Sequence, residues 1–324
     1  MAYQQGTATS IYDLVDQLLT FAVANGWTQD EYVDATAGYC TLHRDNCFVS
    51  LRWDSTVSTD LAVYQSLGWT SSVQPHQQTN DSGNGDTTVP INADRRVNFR
   101  STGPFTQYYF FAHTDPYYIH IAVEVDAGRY RHFGFGHINK IGTWTGGEYA
   151  YGHLWDPGTT QLDLPTGGIH SFMLDTNTSS SSSAATMHAE GLPGEGGTSK
   201  WMVIGPGSGG TDRAGVARIR GVGGMRGGFW SYVLSWVPLS HVNVYKALIP
   251  VPVWYVDTAP APDAWLLLGH QADVALVNMR NLNAADEISV GGVTWVVFPW
   301  VRKQYLKVDT EESWNAGVAY RKRV

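Results

Sequence analysis

Charge is scarce in this chain. Asp, Glu, Lys and Arg make up 15% of the 324 residues, against about 25% in an ordinary soluble domain. The net charge is −8. A general nucleic-acid binder needs a basic stripe to meet phosphates, so that class is excluded. The one basic run, Arg321-Lys322-Arg323, reads as a solvated tail. Cysteine is nearly missing, with only Cys40 and Cys47. A hairpin turning through Arg44-Asp45-Asn46 sets Cys40 against residue 50 or 51 rather than Cys47, so no disulfide is expected. Two sulfurs without paired histidines are too few for a zinc site. Reduced or buried thiols suit a protein assembled in cytoplasm. The longest apolar run, ALIPVPVWYV at 247–256, is short and broken by Pro250 and Pro252, so no membrane insertion is expected. The opening MAYQQGTATS lacks the charged and apolar regions of a secretory leader.

Glycine, by contrast, is plentiful at 35 residues, and aromatics reach 13%. With few charges, that mixture suits β-structure with tight turns and broad surfaces covered by partners. One helix is legible. Ser10 is its N-cap, Asp13 its capping acid, and Ile11, Leu14, Val15, Leu18, Leu19 and Ala22 its buried face, with a stop at Asn25-Gly26. A second, shorter helix is expected at 59–67, closed by Gly68. The rest reads as strands: 47–53, a three-strand meander through 107–114, 117–125 and 129–138, then 200–205, 216–221, 230–237, 251–256, 265–269 and 293–301. The expected fold is mainly β, with antiparallel meanders or sandwich-like sheets behind an N-terminal helix. Residues 1–175 form the helix and an antiparallel β domain, and 176–199 a flexible Ser/Gly-rich loop or linker. Residues 200–324 form a second β-rich region of the same or a separate domain.

The chemistry-bearing types concentrate in YRHFGFGHINKIGTWTGGEYAYGHLW, residues 130–155. Alternation puts Gly134 and Gly136 on one face of a strand, where an aromatic of the adjacent strand lies across the backbone. Trp144-Thr145-Gly146-Gly147 then reads as a tight turn. Histidines 113, 120, 132, 137, 153, 170 and 188 contain no H-x-H pair, and His132 and His137 face opposite sides. Cross-strand approach stays open, for example His120 beside His132, and hydrogen-bonded packing is expected in place of a metal. Gly205-Pro206-Gly207-Ser208-Gly209-Gly210 matches G-x-G-x-x-G formally. However, Pro206 removes an amide, glycines interrupt any following helix, and no acid stands about twenty residues on, so it reads as a loop. The carboxylates Glu124, Asp126, Glu148 and Asp156 are the candidates for glycoside hydrolysis. Asp126 and Asp156 have ordinary turn roles. Trp144, Tyr149, Tyr151 and Trp155 surround Glu148 and Asp156, and are also the candidate glycan platform. G-x-S-x-G is absent, and neither catalysis nor a cofactor is expected.

The segments YYFFAHTDPYYIHIAVEV (108–125), FGFGHINKIGTWTGGEYAYGH (133–153), VTWVVFPWVRK (293–303) and WNAGVAYRKRV (314–324) resemble uncharacterised virion structural proteins of tailed bacteriophages. The helix ending in NGWT belongs to the likeness, and the Ser-rich segment at 176–199 does not. The resemblance implies a tail component, in the host cytoplasm during assembly and in the virion afterwards. Its partners would be copies of itself and other tail proteins, with no cofactor and no active-site residues. The expectation is therefore a structural subunit near the tail tip or baseplate. The alternatives are a glycan-binding host-recognition module, on the four rings above, and a polysaccharide hydrolase using Glu148 with Asp156.

Overall fold

A computed structural model describes residues 2–34, 37–54, 58–75, 78, 97–100, 103–152, 185–190, 192, 201–203, 217–220, 247–257, 264–299 and 316–323. The helix forms where the local signals put it. After β1 (Tyr3–Ala8), α1 (Ile11–Ala24) begins with the Ser10 hydroxyl accepting from the Asp13 amide, a cap worth about 1 kcal/mol. Asp13 reaches one residue further back than a capping box does and accepts from the Thr9 amide and hydroxyl. Asn25 caps the C-terminus, and Gly26 follows at a left-handed φ of 87°. The six expected core positions are all buried, and Phe21 joins them.

A five-stranded antiparallel meander comes next: β2 (Thr28–Val33), β3 (Ala37–Arg44), β4 (Cys47–Asp54), β5 (Ser58–Ser66) and β6 (Val97–Arg100). The hairpin register sets Cys40 opposite Leu51, and both cysteines are free and buried. The expected helix at 59–67 is instead β5. Leu61 to Ser66 are all buried there, between β4 and β6. A strand buried on both faces loses its alternation, and its apolar spacing can then mimic a helix.

The central sheet is seven-stranded, in the order β1-β7-β8-β9-β11-β12-β13. Its members are β7 (Phe105–Thr114), β8 (Tyr117–Asp126), β9 (Arg129–His137), β11 (Thr145–Gly152), β12 (Ala185–Glu190) and β13 (Trp201–Val203). The β7-β8-β9 meander is the expected one, with the cis Asp115–Pro116 bond in its first turn. β12 lies inside the 176–199 segment expected to be a flexible loop, and Met187, His188 and Ala189 are buried. β13 follows it into the same sheet, so this sheet runs across the expected division. The third sheet has the order β14-β15-β16-β19-β18-β17, from β14 (Ala217–Arg220), β15 (Ile249–Asp257), β16 (Ala264–Asn278), β17 (Asp286–Val290), β18 (Val293–Pro299) and β19 (Ala316–Arg321). β10 (Asn139–Lys140), in the β9–β11 connection, pairs with β16 and ties this sheet to the central one.

The central sheet is the middle layer, with both faces covered. One face packs Tyr108, Phe110, Ile119, Ile121, Phe133 and Phe135 against α1 and the five-stranded sheet. The other packs Tyr109, Phe111, Tyr130, Tyr149 and Tyr151 against Val253, Leu276, Phe298 and Tyr320 of the third sheet. Strict alternation sorts β9, sending Tyr130, His132, Gly134 and Gly136 toward the third sheet and Phe133 and Phe135 away. The glycines there are needed for space. A Cβ on Gly134 would stand 2.8 Å from the Tyr151 ring, which lies across it from β11. A Cβ on Gly136 would stand 2.4 Å from the Tyr117 carbonyl oxygen and the Tyr118 Cα, at a φ of 141°. Gly136→Ala is therefore expected to cost about 2–4 kcal/mol from strain and overpacking. Urea denaturation reads this directly. A loss under about 1 kcal/mol, at the low end of overpacking costs, would mean the strands part easily.

Candidate functional site

Alternation brings His120 of β8 and His132 of β9 to the same face, and both are fully buried. His120 Nε2 lies 3.1 Å from the Ala272 carbonyl oxygen, and His132 Nε2 3.1 Å from that of Pro299. A carbonyl can only accept, so each Nε2 bears the proton and each Nδ1 accepts. The donors are hydroxyls 3.0 Å away: Tyr151 to His120, and Tyr320 to His132. The two hydroxyl oxygens come within 3.5 Å of each other. Burial pushes the His120 pKa down to about 3 and drives both phenols far up. The result is two hydrogen-bonded relays, Tyr151–His120–Ala272 and Tyr320–His132–Pro299, which pin the central sheet to β16 and to Pro299 of β18 while burial keeps His120 neutral.

The third sheet meets this layer at a bulge in β16. Gln271 to Val274 stand opposite the single residue Val251, between the pairs Pro252–His270 and Pro250–Ala275. Asp273 occupies the left-handed region at a φ of 55°, a conformation that costs a non-glycine residue about 1 kcal/mol or more. The bulge aims its carboxylate at three donors. These are the Tyr118 hydroxyl, Arg323 Nε at 2.6 Å and Arg321 Nη1 at 3.4 Å. Burial would raise the Asp273 pKa, but the bonds from Arg323 and Tyr118 outweigh it and hold the carboxyl low. Lys322 donates to Glu287 at 2.6 Å and lies over the Tyr3 ring. The basic run 321–323 is thus ion-paired and half-buried, not the solvated tail its position suggested. Within the bulge, neither amide atom of Gln271 has a partner in hydrogen-bonding geometry among the described residues, and neither does the Tyr149 hydroxyl. Burial drives the Tyr149 and Tyr151 phenols up, and the nearby Gln271 amide opposes that rise.

A second bulge lies on the opposite face of the central sheet. In the β11–β12 ladder Gly146 pairs with Ala189 and Tyr149 with Met187, so Gly147 and Glu148 together stand opposite His188. Gly146 and Gly147 take a φ of 111°. A Cβ on Gly146 would meet the His188 carbonyl oxygen at 2.3 Å, so the position requires glycine. Residues 145–147, expected in a tight turn, thus lie in β11, and the bulge is at Gly147-Glu148. It turns Glu148 toward His188, whose Nδ1 donates to Glu148 Oε2 at 2.7 Å while Nε2 donates to Glu190 Oε1 at 2.7 Å. Burial opposes charge on both Glu148 and His188. Their mutual hydrogen bond, with Glu190 adding to the His188 side, lowers the Glu148 pKa and raises that of His188. No set of three or more metal-ligating side chains is grouped among the described residues.

The structure separates the residues the sequence grouped. Tyr149 and Tyr151 are 0% exposed and face the third sheet, so neither belongs to an exposed glycan platform. Trp144 is half-exposed at the surface, its indole donating to the Ile141 carbonyl and facing Lys140 Nζ. Trp155 and Asp156 lie outside the described residues, as do His153, His170, the 205–210 glycine loop and the strand expected at 230–237. Glu124 accepts from the Gly128 amide and Asp126 from the Ala127 amide, both in support of a turn, and Glu124 also accepts from the Thr106 hydroxyl of β7. Glu148 is engaged by His188. The Asp273 hub and the pairing of His188 escaped the sequence reading. A period-two signal for the latter was present, since Met187 and Ala189 alternate with His188 and Glu190.

No known protein family matches this chain, and no curated protein is similar to it.

Proposed function

We propose that this chain is a structural subunit of a tailed-phage virion, placed in the tail near its tip or baseplate. It would act through contacts with its own copies and with neighbouring tail proteins. The observation carrying this reading is where the histidines and tyrosines of the middle third, with Tyr320, go. His120, His132, Tyr118, Tyr151 and Tyr320 bind one layer of the stack to the next. A building block under load needs such internal fastening, whereas a binding cleft would hold those groups open to a ligand. The resemblance of residues 108–125, 133–153, 293–303 and 314–324 to tail-module proteins supports it, as does a charge content suited to surfaces covered by partners. A glycan-binding module has less support, because two of its four rings lie in the core. A hydrolase has less, because Glu148 is tied to His188.

Antibodies against the chain are expected to label the tail of intact particles. The purified protein is expected to sediment as a ring or larger assembly. A highly soluble monomer, with no antibody label on virions, would overturn the reading.

A further inference from the structure

We propose that Glu148, His188 and Glu190 form a proton-operated latch that fixes the outer strands of the central sheet, β12 and β13, to β11. The inference stands on geometry and does not depend on the tail assignment. Two N···O contacts of 2.7 Å join one imidazole to two carboxylates, and each contact needs its own proton. The three groups together hold two protons and a net charge of −1. Loss of one proton leaves two carboxylates facing a ring with a single N–H, in a site where Glu148 is 7% exposed and His188 4%. One of the two charge-assisted bonds then disappears, and a buried carboxylate is costly to leave unpaired.

Only the Glu148–His188 bond crosses between strands, since Glu190 lies on the same strand as His188. That bond sits at the bulge, where the β11–β12 register shifts around Gly147 and Glu148. β13 has three residues and attaches to the sheet through β12, so it depends on the same fastening.

The pH window follows from the two shifts. His188 titrates above its ordinary 6.5 when folded, so its contribution is complete below 6.5 and is lost as pH rises through the raised value. Glu148 titrates below its ordinary 4.5, so its contribution is present above 4.5 and is lost as pH falls through the lowered value. The latch is tightest between these limits. Its other titratable or charged neighbours are His137 of β9, Lys140 of β10, Tyr117 of β8 and Cys47 of β4. Burial keeps the Cys47 thiol and the Tyr117 phenol protonated. His137 directs both ring nitrogens at backbone carbonyls, those of Ile138 and Gly146. Trp201 stands opposite His188 on the β13 side.

Hydrogen exchange of the full chain tests this, with each amide rate divided by its intrinsic rate at the same pH. Amides of 185–190 are expected to lose protection by up to about tenfold per pH unit between pH 6.5 and the raised His188 value, and to level off above it. His188→Gln, which keeps one donor toward Glu148, is expected to abolish the step. If that variant does not fold, Glu190→Gln is expected to move the step to lower pH, because it removes a carboxylate that favours the imidazolium. Nitrogen NMR of the wild-type ring is expected to show two N–H groups near pH 5.5. Flat protection across pH, a step that persists in His188→Gln or stays put in Glu190→Gln, or a ring with a single N–H would each overturn the latch.

Discussion

Replacing Phe298 with alanine is expected to lower the unfolding free energy by about 3–5 kcal/mol. Phe298 is fully buried on β18 and projects from the third sheet into the aromatic face of the central one. Its ring centroid lies 4.8 Å from that of Tyr109, 5.4 Å from Tyr130, 6.0 Å from Tyr320, and 6.2 Å from both Phe111 and His132. Flat, stiff side chains on strands held by hydrogen bonds cannot collapse into the void left behind. The loss should therefore sit at the upper end of the range for core truncations. Phe298→Leu, which fills part of the space, should cost noticeably less. Urea midpoints of both variants check this, and a loss under about 1 kcal/mol for the alanine variant would mean the two sheets are not packed together at this point.

Acid is expected to act on the same layer with comparable force. The folded protein holds His120 neutral down to about pH 3, whereas the unfolded chain takes up the proton near 6.5. Unfolding then binds a proton, so stability falls by up to about 1.4 kcal/mol per pH unit, toward a total of about 5 kcal/mol at pH 3. Asp273 and Glu148 titrate below their ordinary values when folded, and they also lose their contributions as pH falls, in the same direction. His120→Gln isolates the histidine share. At neutral pH it should cost about 1–3 kcal/mol for imperfectly replaced hydrogen bonds to Tyr151 and Ala272. Between pH 6.5 and 4 its denaturation midpoint should fall less steeply than that of the wild type. Parallel curves would show that His120 is not the group being titrated.

What could be read from the sequence was local or set by strand parity. The Ser10 cap, the buried stripe of α1, the Cys40–Leu51 register and the β7-β8-β9 meander follow from neighbours a few residues apart. Parity also placed Gly134 and Gly136 on one face and foresaw an aromatic of an adjacent strand across that backbone. It could not say whether that face met solvent or another sheet, and so Tyr149 and Tyr151 looked available to a ligand. The same limit misplaced β5, whose two buried faces erased the alternation that marks a strand. Arg321 and Arg323 find Asp273 across 48 and 50 residues, a meeting that only the β16–β19 pairing creates. β12 was hidden in another way, as six alternating residues between stretches of serine and glycine.

The position of β19 bears on how the chain is made. It is the filling between β16 and β18, pairing with both through residues 316–321. During synthesis those two neighbours emerge first and wait with open edges, and such edges invite pairing with the wrong strand. Tyr320, the hydroxyl donor to His132, comes with the same late segment. A chain released before residue 316 would therefore display an unfinished sheet and an unfastened middle layer, with Phe298 and the central-sheet tyrosines it packs on exposed to any chaperone or passing nascent chain.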